Sequence, residues 1–406
     1  MHAWLRKQWL NILIVNDGAG DGGGVETYLR SVASGLRALG HEVVFGHCGG
    51  DTSGIAPFVS QCILLDQQGK RPVPARMSGG DFDICYSHNM RFLELEAMLL
   101  RQFPVVKFMH GYFGTCISGL KSTSLSQIRT CQRRLGIQCF AHYFIRGCGQ
   151  RSLGACFGGF KWARRQQQIW RDYSAVVVAS AHMRREYLHH GLDPDQITTI
   201  PLFGEKPSTT LTGRLPQASY RTSDDFHRFL FIGRMTALKG PQLLPEAVSV
   251  ASRELGVPVK IDFIGDGPVL ARCKEEATKY GVECLFHGWL EGEQKLRLFD
   301  QSCGLLISSL WPEPFGLVGL EVARFGMPSV AFNVGGISEW LDDGINGVIA
   351  KSDPPTATSM GSAIVKLIRD EDKWKSLSSG AIRKADELTL DRHVRRLLSV
   401  FDQVLN

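Results

Sequence analysis

Short apolar segments alternate with helix-like segments along most of this sequence, and that alternation restricts the fold more than any other feature. In the first half, apolar or β-branched runs occupy residues 12–15, 43–45, 62–65, 84–86, 105–109, 175–178 and 197–200. An amphipathic stretch over 26–39 separates the first two runs and stops at Gly40, as is typical of a helix C-terminus. The pattern predicts βαβ units and therefore a parallel sheet.

The alternation restarts after a polar segment rich in Pro, Ser and Thr, residues 202–225, which we predict to be the domain boundary. Apolar runs follow at 229–232, 259–264, 284–286, 305–307, 329–332 and 348–350, with a last helix from about 391 to the end. A chain of 406 residues suits two domains. We predict two doubly wound α/β domains, 1–205 and 206–390, with 391–406 as a C-terminal helix. Residues 111–171 interrupt the rhythm as a long insertion in the first domain.

Charge is distributed unevenly along the chain. The first 205 residues carry 22 Lys and Arg against 15 Asp and Glu, and residues 97–171 hold 12 basic residues and no acidic one. A membrane phospholipid, a lipid diphosphate or a nucleic acid would complement such a segment; the alternative is a basic loop face without a specific partner. No apolar run reaches the roughly 18 residues of a membrane span, and no cleavage site follows the basic N-terminus, so the expected location is the cytoplasm.

Five of the 11 cysteines lie in the basic segment, namely Cys116, Cys131, Cys139, Cys148 and Cys156. None forms the C-x-x-C pair that is usual in zinc sites, so packed free thiols are the first expectation. Their clustering keeps a structural metal or disulfides as the alternative. The Asp-x-Asp sequence at Asp81–Asp83 precedes a predicted strand, where a metal ligand pair would follow one, and we interpret it as a strand entry.

The loop after the first strand, "NDGAGDGGGVETYLR", contains Gly18, Gly20 and Gly23 in the G-x-G-x-x-G spacing of dinucleotide-binding proteins. An NAD-dependent oxidoreductase would also need an acidic residue at the end of the second strand. His47 stands there, and the oxidoreductase interpretation therefore fails.

Ligands of open α/β sheets bind at the carboxyl ends of the strands. Arg234 and Lys239, in "GRMTALKG", follow one strand and suit a diphosphate, which Arg holds in bidentate fashion and Lys as a point charge. In "SSLWPEPFGLVGLEVARFGMP", Glu313 precedes a helix that we predict to begin near 315–316 and to end at 326. Glu321 lies in an otherwise apolar part of that helix, where a surface glutamate without a role is a poor explanation. In the first half, His110 ends a strand and is a candidate site residue. His88 has a similar position and is the weaker candidate.

The order of these motifs, with "GDGP", "HGW" and "NVGGISEWLDDGINGVIA" added, resembles the retaining glycosyltransferases of the GT-B fold, family 4, also described as glycosyl transferases group 1. The resemblance extends over nearly the whole chain. It implies two Rossmann-like domains facing across a cleft, with the final helix returning to the first domain. Donor-binding residues would be Gly23, Gly24, Arg234, Lys239, Gly265, His287, Glu313, Phe315, Gly316, Leu317 and Glu321. Catalytic residues would be His110, Glu313, Arg234 and Lys239.

The family also implies a role for each group. Arg234 and Lys239 would hold the donor diphosphate, Glu321 the ribose hydroxyls and Glu313 the transferred sugar, while the backbone N–H groups of 315–317 would meet sugar and phosphate. Gly23 and Gly24 would approach the diphosphate from the first domain. The nucleobase would lie near Gly265 and the strand end at 287–289. His110 would stand at the reacting face of the acceptor domain.

The resemblance implies a hexosyltransferase that moves a sugar from a nucleoside diphosphate sugar to a glycan or lipid-linked acceptor, in polysaccharide or glycolipid biosynthesis. No cofactor or metal is required by that scheme. Expected partners are the nucleotide sugar, the acceptor and an anionic membrane surface contacted through 97–171, with the protein peripheral on the inner face of the membrane; nucleic acid is not expected. The insertion 111–171 departs from typical members. The alternative is a nucleotide-sugar-binding protein without transferase activity.

Overall fold

The computed structural model describes residues 9–20, 23–68, 76–77, 80–124, 128–149, 152–204, 217–220 and 226–406. Of the predicted boundary segment, 205–216 and 221–225 lie outside these residues. The chain divides into two compact units: the first comprises Met1–Leu120, Arg133–Pro201 and Leu390–Asn406, and the second Lys121–Gln132 and Leu202–Thr389. The insertion 111–171 was assigned as a whole to the first domain, whereas its residues 121–132 group with the second unit.

The elements of the chain up to residue 200 belong to the first unit, except the two short strands within residues 121–132. The strands are β1 (Asn11–Asn16), β2 (Glu42–His47), β3 (Gln61–Leu64), β4 (Arg76–Met77), β5 (Gly80–Asp81), β6 (Ile84–Ser87), β7 (Val105–Met109), β8 (Ser122–Thr123), β9 (Arg129–Thr130), β10 (Ala175–Val178) and β11 (Ile197–Thr199). The helices are α1 (Gly24–Ala38), α2 (Leu93–Gln102), α3 (Gln138–Ile145), α4 (Leu153–Ile169) and α5 (Ala181–His189).

The remaining elements form the second unit and the C-terminal helix. The strands are β12 (His227–Ile232), β13 (Val259–Ile264), β14 (Cys284–Phe286), β15 (Gly304–Ile307), β16 (Ser329–Phe332) and β17 (Gly347–Ala350). The helices are α6 (Leu244–Leu255), α7 (Leu270–Tyr280), α8 (Gly292–Asp300), α9 (Val318–Ala323), α10 (Ala357–Ile368), α11 (Glu371–Glu387) and α12 (Leu390–Leu405).

Each unit contains one parallel sheet. The first has the strand order β11-β10-β7-β6-β1-β2-β3, and the second β14-β13-β12-β15-β16-β17. Every strand predicted from an apolar run is present, and the prediction of two doubly wound α/β domains is confirmed. The two antiparallel pairs, β4–β5 and β8–β9, were not predicted.

The central strands are buried along their whole length because helices cover both faces of a doubly wound sheet. All six residues of β1 are buried, as are all four of β6, β15 and β16. The C-terminal helix α12 packs against α1 so closely that a Cβ on Gly35 would lie 2.9 Å from Cγ2 of Val394. Asp83 accepts a hydrogen bond from the backbone N–H of Asn11 at 2.7 Å, so the second aspartate of "DFD" fixes the start of β1.

No helix within the described ranges is both long and apolar enough to cross a lipid bilayer.

Candidate functional site

The second sheet has its topological switch point between β12 and β15. From β12 the chain proceeds to β13 and β14 on one side, and from β15 to β16 and β17 on the other. The loops that follow these two strands therefore diverge at the carboxyl edge of the sheet and leave a crevice, the usual ligand position in such folds. Lys239 follows β12 and Glu313 follows β15, so the sequence places opposite charges on the two sides of this point.

The structure joins these two side chains. Nζ of Lys239 lies 2.6 Å from Oε1 of Glu313. The same oxygen accepts hydrogen bonds from Oγ of Ser309 at 2.5 Å and from Nε1 of Trp311 at 3.0 Å. Glu313 is only 4% exposed, while the side chain of Lys239 is 29% exposed. The carboxylate is thus held by donors from its own loop, and the ammonium stays accessible to a further anion.

Glycines bring the surrounding loops close to this pair. Gly240 has a φ of +69°, and a Cβ there would lie 2.1 Å from the carbonyl oxygen of Ser308. Gly335 has a φ of +64°, and its Cβ would lie 2.1 Å from the carbonyl oxygen of Glu313. The N–H of Gly336 donates to that same carbonyl at 2.7 Å. Only glycine fits where backbone packs on backbone in this way, and the loop after β16 therefore fixes the position of Glu313.

The helix after Glu313 is shorter than predicted. We expected it to begin near 315–316 and to end at 326, but α9 spans Val318–Ala323. Gly316 has a φ of +84°, which is incompatible with a right-handed helix, and the carbonyl of Phe315 accepts from Nε1 of Trp340 at 2.8 Å. The backbone N–H groups of Phe315, Gly316 and Leu317 donate to no acceptor among the described residues. These N–H groups lie in a loop and not at the start of the helix as predicted, and their assignment to sugar and phosphate stays a prediction.

Glu321 lies in α9 and its carboxylate is paired with Lys295 of α8. The Glu321 side chain is 40% exposed, so solvent reaches the carboxylate despite the ion pair. The spacing of the two glutamates does not bring them into one ion-pair cluster: each has its own lysine. Sequence inspection missed Lys295, because its helix carries no motif that points to the crevice.

The remaining strand ends of this sheet form a tight edge. Gly265, with a φ of +132°, lies so close to Gly233 that a Cβ would meet the carbonyl oxygen of Gly233 at 2.0 Å, and its N–H donates to the carbonyl of Gly288 at 2.7 Å. His287 is brought beside this turn, with Nε2 at 3.5 Å from Oδ1 of the buried Asp262. Arg234 is exposed, and no carboxylate of the described ranges lies within ion-pair distance of it.

In the first unit, the glycine-rich loop leads from β1 to α1. The helix begins at Gly24, and Gly23 precedes it as the N-cap. A Cβ on Gly23 would lie 2.5 Å from Oε2 of Glu26, so the carboxylate of Glu26 turns back over the start of its own helix. An acidic side chain in the first turn is favourable for the helix dipole. His47 ends β2 opposite Asn16, which confirms that a histidine occupies the position of the acidic residue in dinucleotide-binding proteins.

His88 and His110 follow β6 and β7, two neighbouring strands, and their rings are hydrogen-bonded. Nδ1 of His88 lies 2.9 Å from Nε2 of His110. Burial lowers the pKa of His110 to about 3, with further contributions from the positive charges of Lys107 and His393. Burial also holds the pKa of His88 well below its usual range, aided by His110 and Lys107. Both rings are therefore neutral near pH 7, and one donates its N–H to the other.

A buried polar network supports the two histidines. Nζ of Lys107 donates to the carbonyl of His88 and lies 2.5 Å from Oε1 of Glu96, which is itself fully buried. On the other side, the ring centroids of Tyr28 and His110 lie 5.3 Å apart, and the hydroxyl of Tyr28 hydrogen-bonds Nε2 of His393 at 2.8 Å. Sequence inspection missed these groups because they lie inside strands and helices, where lysine and glutamate are normally solvated.

The five cysteines of the insertion carry free thiols. All cysteines of the chain lie within the described ranges and none is in a disulfide. No group of three or more His, Cys, Asp or Glu in those ranges is arranged to hold a metal ion. The alternative of a structural metal or disulfides at Cys116, Cys131, Cys139, Cys148 and Cys156 stays a prediction.

Two family models match the chain in succession. "Glycosyltransferase Family 4" matches residues 22–203 and "Glycosyl transferases group 1" matches residues 217–384. Together they cover both compact units apart from the chain ends and the boundary segment.

Individual relatives are distant but extend over much of the chain. A D-inositol 3-phosphate glycosyltransferase of Paenarthrobacter aurescens is 25% identical over 361 residues, 84% of this chain and 83% of the relative. An O-antigen chain mannosyltransferase C of Escherichia coli is 28% identical over 236 residues, 57% of this chain and 60% of the relative.

Solved structures share the fold. A glycosyltransferase from Rickettsia africae superposes with a TM-score of 0.70 at 18% identity, over 98% of this chain and 100% of the other. Anabaena Alr3699/HepE, solved with UDP and glucose, superposes with a TM-score of 0.68 at 16% identity, over 97% and 100%.

Proposed function

Because the chain belongs to the glycosyl transferases group 1 and glycosyltransferase family 4, we propose that it transfers a sugar from a nucleoside diphosphate sugar with retention at the anomeric carbon. It is a glycosyltransferase of the hexosyltransferase kind, and its relatives act in glycan biosynthesis. The proposed acceptor is a glycan or a lipid-linked glycan, in polysaccharide or glycolipid biosynthesis. The first unit would bind the acceptor and the second the donor.

The observation that carries this proposal is the Lys239–Glu313 pair at the switch point of the second sheet. A partly exposed ammonium beside a buried carboxylate, whose Oε1 also accepts hydrogen bonds from Ser309 and Trp311, offers positive charge to an anion without leaving the carboxylate unpaired. Arg234, exposed on the same connection, supplies a second cation. Two cations on one loop suit the two phosphates of a nucleoside diphosphate. This diphosphate is the leaving group of the reaction and departs with two or three negative charges.

In the proposed reaction the bond between the anomeric carbon and the β-phosphate oxygen breaks, and a bond to the acceptor oxygen forms on the same face of the sugar. The acceptor proton passes to an oxygen of the departing diphosphate. Arg234 and Lys239 stabilise the charge that develops on the leaving group, and the N–H groups of 315–317 donate to sugar and phosphate oxygens. Glu313 contacts the transferred sugar and Glu321 accepts hydrogen bonds from the ribose hydroxyls. Catalysis would then be positioning and electrostatic stabilisation.

His110 serves the acceptor side in this proposal. A neutral imidazole can accept a hydrogen bond from a sugar hydroxyl or donate one to a phosphate oxygen, but carries no charge to offer. Its hydrogen bond with His88 orients the ring. Gly23 and Gly24 would approach the diphosphate, and Gly265 with His287 would border the nucleobase.

A donor panel tests the proposal. The first donors to test are UDP-glucose, UDP-N-acetylglucosamine and GDP-mannose. One relative is a mannosyltransferase, and one structure with the same fold was solved with UDP. Release of nucleoside diphosphate would be followed with a coupled assay, and the anomeric configuration of the product by NMR. We expect release with at least one donor, unchanged by EDTA, and a product of the same configuration as the donor. An inverted product would refute retention; tight donor binding without turnover would favour a binding protein.

The proposed partners include an anionic membrane surface contacted through residues 97–171, and the proposed location is the cytoplasm, peripheral on the inner face of the membrane. The acid-free composition of that segment supports both proposals. Sedimentation of the protein with anionic vesicles at low salt tests them.

A further inference from the structure

The insertion forms a helical hairpin of α3 and α4 with an apolar stripe on α3 that faces outward. Residues 137, 140, 141, 144 and 145 are Ile, Phe, Ala, Phe and Ile, and the i, i+3, i+4, i+7, i+8 spacing puts them on one helix face. In a helix packed onto a domain such a face is buried. Here Ile137 is 82% exposed and Ile145 63% exposed.

A second stripe on α4 continues this surface. Leu153 is 66% exposed and Phe157 is 60% exposed. The ring of Phe140 lies 4.9 Å from that of Phe157 and 4.6 Å from that of Phe160, so the stripes of the two helices meet. Four of the 12 large apolar side chains that are exposed in the described ranges fall within residues 137–157. Isolated exposed apolar residues are ordinary, whereas a contiguous group marks a site of interaction.

Cations surround this apolar face and no carboxylate does within the insertion. Arg134, Arg146, Lys161 and Arg164 are exposed in the same helices and at their ends, and residues 97–171 contain no Asp or Glu.

We propose that the α3–α4 hairpin docks into the headgroup region of an anionic phospholipid bilayer, with Ile137, Ile145, Leu153 and Phe157 inserted and the surrounding Arg and Lys contacting lipid phosphates. Exposed aliphatic and aromatic side chains beside unmixed positive charge are typical of helices that lie in the membrane interface. The phosphates of an anionic bilayer complement positive charge that no carboxylate of the same segment offsets. The inference specifies which side chains make the proposed membrane contact. It rests on the proposed function only in that a lipid-linked acceptor would explain why the protein binds a membrane.

Vesicle flotation of the full chain tests this docking. The probes are phosphatidylcholine vesicles and vesicles that also contain phosphatidylglycerol, from about 50 mM to about 500 mM NaCl, a range over which surface charges become screened. The apolar variant is Ile137→Ser with Phe157→Ser, and its matched control is Leu64→Ser, which removes a 74% exposed leucine elsewhere in the first unit. The charge variant is Arg134→Gln with Arg146→Gln, and its control is Arg297→Gln in the second unit. Nucleoside diphosphate release is measured in parallel without vesicles.

The wild type and both controls should float with anionic vesicles at low salt and lose binding as salt rises. The apolar variant should bind at least about tenfold more weakly, since it loses two inserted side chains. The charge variant should lose the preference for phosphatidylglycerol. Both variants should retain wild-type donor turnover, which also shows that they fold. The proposal would be overturned if the wild type did not bind vesicles, or if the apolar variant bound them as tightly as the wild type. It would also be overturned if the wild type were a dimer and the apolar variant a monomer. Vesicle binding without donor turnover would instead remove the proposed function and leave the docking surface.

Discussion

Replacing Lys239 by methionine removes the ammonium of the Lys239–Glu313 pair and retains most of the aliphatic stem. After the substitution, Oε1 of Glu313 still accepts from Ser309 and Trp311, so the buried carboxylate keeps two of its three donors. The side chain of Lys239 is also 29% exposed, and solvent weakens the pair. We therefore expect the free energy of unfolding to fall by only about 1 kcal/mol.

The effect on catalysis should be much larger. Loss of one preorganised donor to the charge that develops in a transition state typically reduces kcat by about 10²–10³-fold. A stability loss of about 1 kcal/mol leaves nearly all of a protein with ordinary stability folded, so it cannot account for such a decrease. The lower kcat would then report the interaction of Lys239 with the leaving diphosphate.

Lys107→Met provides the matched control. Lys107 lies 2.5 Å from Oε1 of Glu96, but here both side chains are almost completely buried, at 5% and 0% exposure. An uncompensated buried carboxylate destabilises a fold by about 3–5 kcal/mol. Two lysine–glutamate pairs of similar length are therefore expected to give opposite results: a stable, inactive Lys239 variant and an unstable Lys107 variant.

Urea unfolding followed by circular dichroism gives the stability of each variant, and nucleoside diphosphate release gives kcat and KM. Turnover of Lys239→Met within about threefold of wild type would refute the assignment of this lysine to the leaving group, since any such role carries a far larger factor. Destabilisation of Lys239→Met equal to that of Lys107→Met would show that the pair serves the fold.

Three further predictions concern other parts of the site. Glu321→Gln should raise the KM for the donor about tenfold or more with unchanged unfolding, as expected for a lost charged acceptor to ribose hydroxyls; an unchanged KM contradicts the ribose assignment. His110 and His393 have folded pKa values of about 3 and about 4, below the unfolded value, so the unfolded state binds more protons between these values and about 6.5. The free energy of unfolding should be highest above about pH 6.5 and fall on acidification by roughly 1 kcal/mol per histidine per pH unit. A flat profile of this free energy over pH 4–7 would show that the rings are not held neutral. Gly335→Ala should lower kcat more than tenfold by displacing the backbone of the neighbouring carboxylate, whereas Gly344→Ala, at a similar positive φ but in open space, should affect only stability; equal rates in the two variants would contradict this account.

The sheets could be predicted from the sequence because their strands are buried on both faces. A strand such as "NILIV" is apolar almost throughout, and a helix with one polar face separates it from the next strand, so the period itself identifies the element. The residue at which α9 begins could not be predicted in the same way. Its position depends on the positive φ of Gly316 and on a hydrogen bond from Trp340, and both arise from packing between segments distant in sequence.

The candidate site residues could be predicted where they follow a strand. Arg234, Lys239, Glu313 and His110 all follow strands, and the parallel order of each sheet carries them to its carboxyl edge. Their partners were not predictable, because nothing in the sequence pairs Lys239 with Glu313 rather than Glu321. The insertion is the reverse case: its composition indicated a surface partner, but only the exposed faces of α3 and α4 show which side chains would meet it.

The geometry of these partners bears on how the acceptor hydroxyl loses its proton. Glu313 is buried, and one of its oxygens already accepts three hydrogen bonds, so the carboxylate is poorly placed to act as a nucleophile or as a free base. The low pKa values of His88 and His110 make the imidazole pair a weak base as well, since a group that protonates only near pH 3 gains little by taking a proton at pH 7. In the proposed reaction, the oxygens of the departing diphosphate are then the best acceptor for that proton. This supports the proposed reaction on one face of the sugar, in which the protein supplies the cations and the leaving group supplies the base.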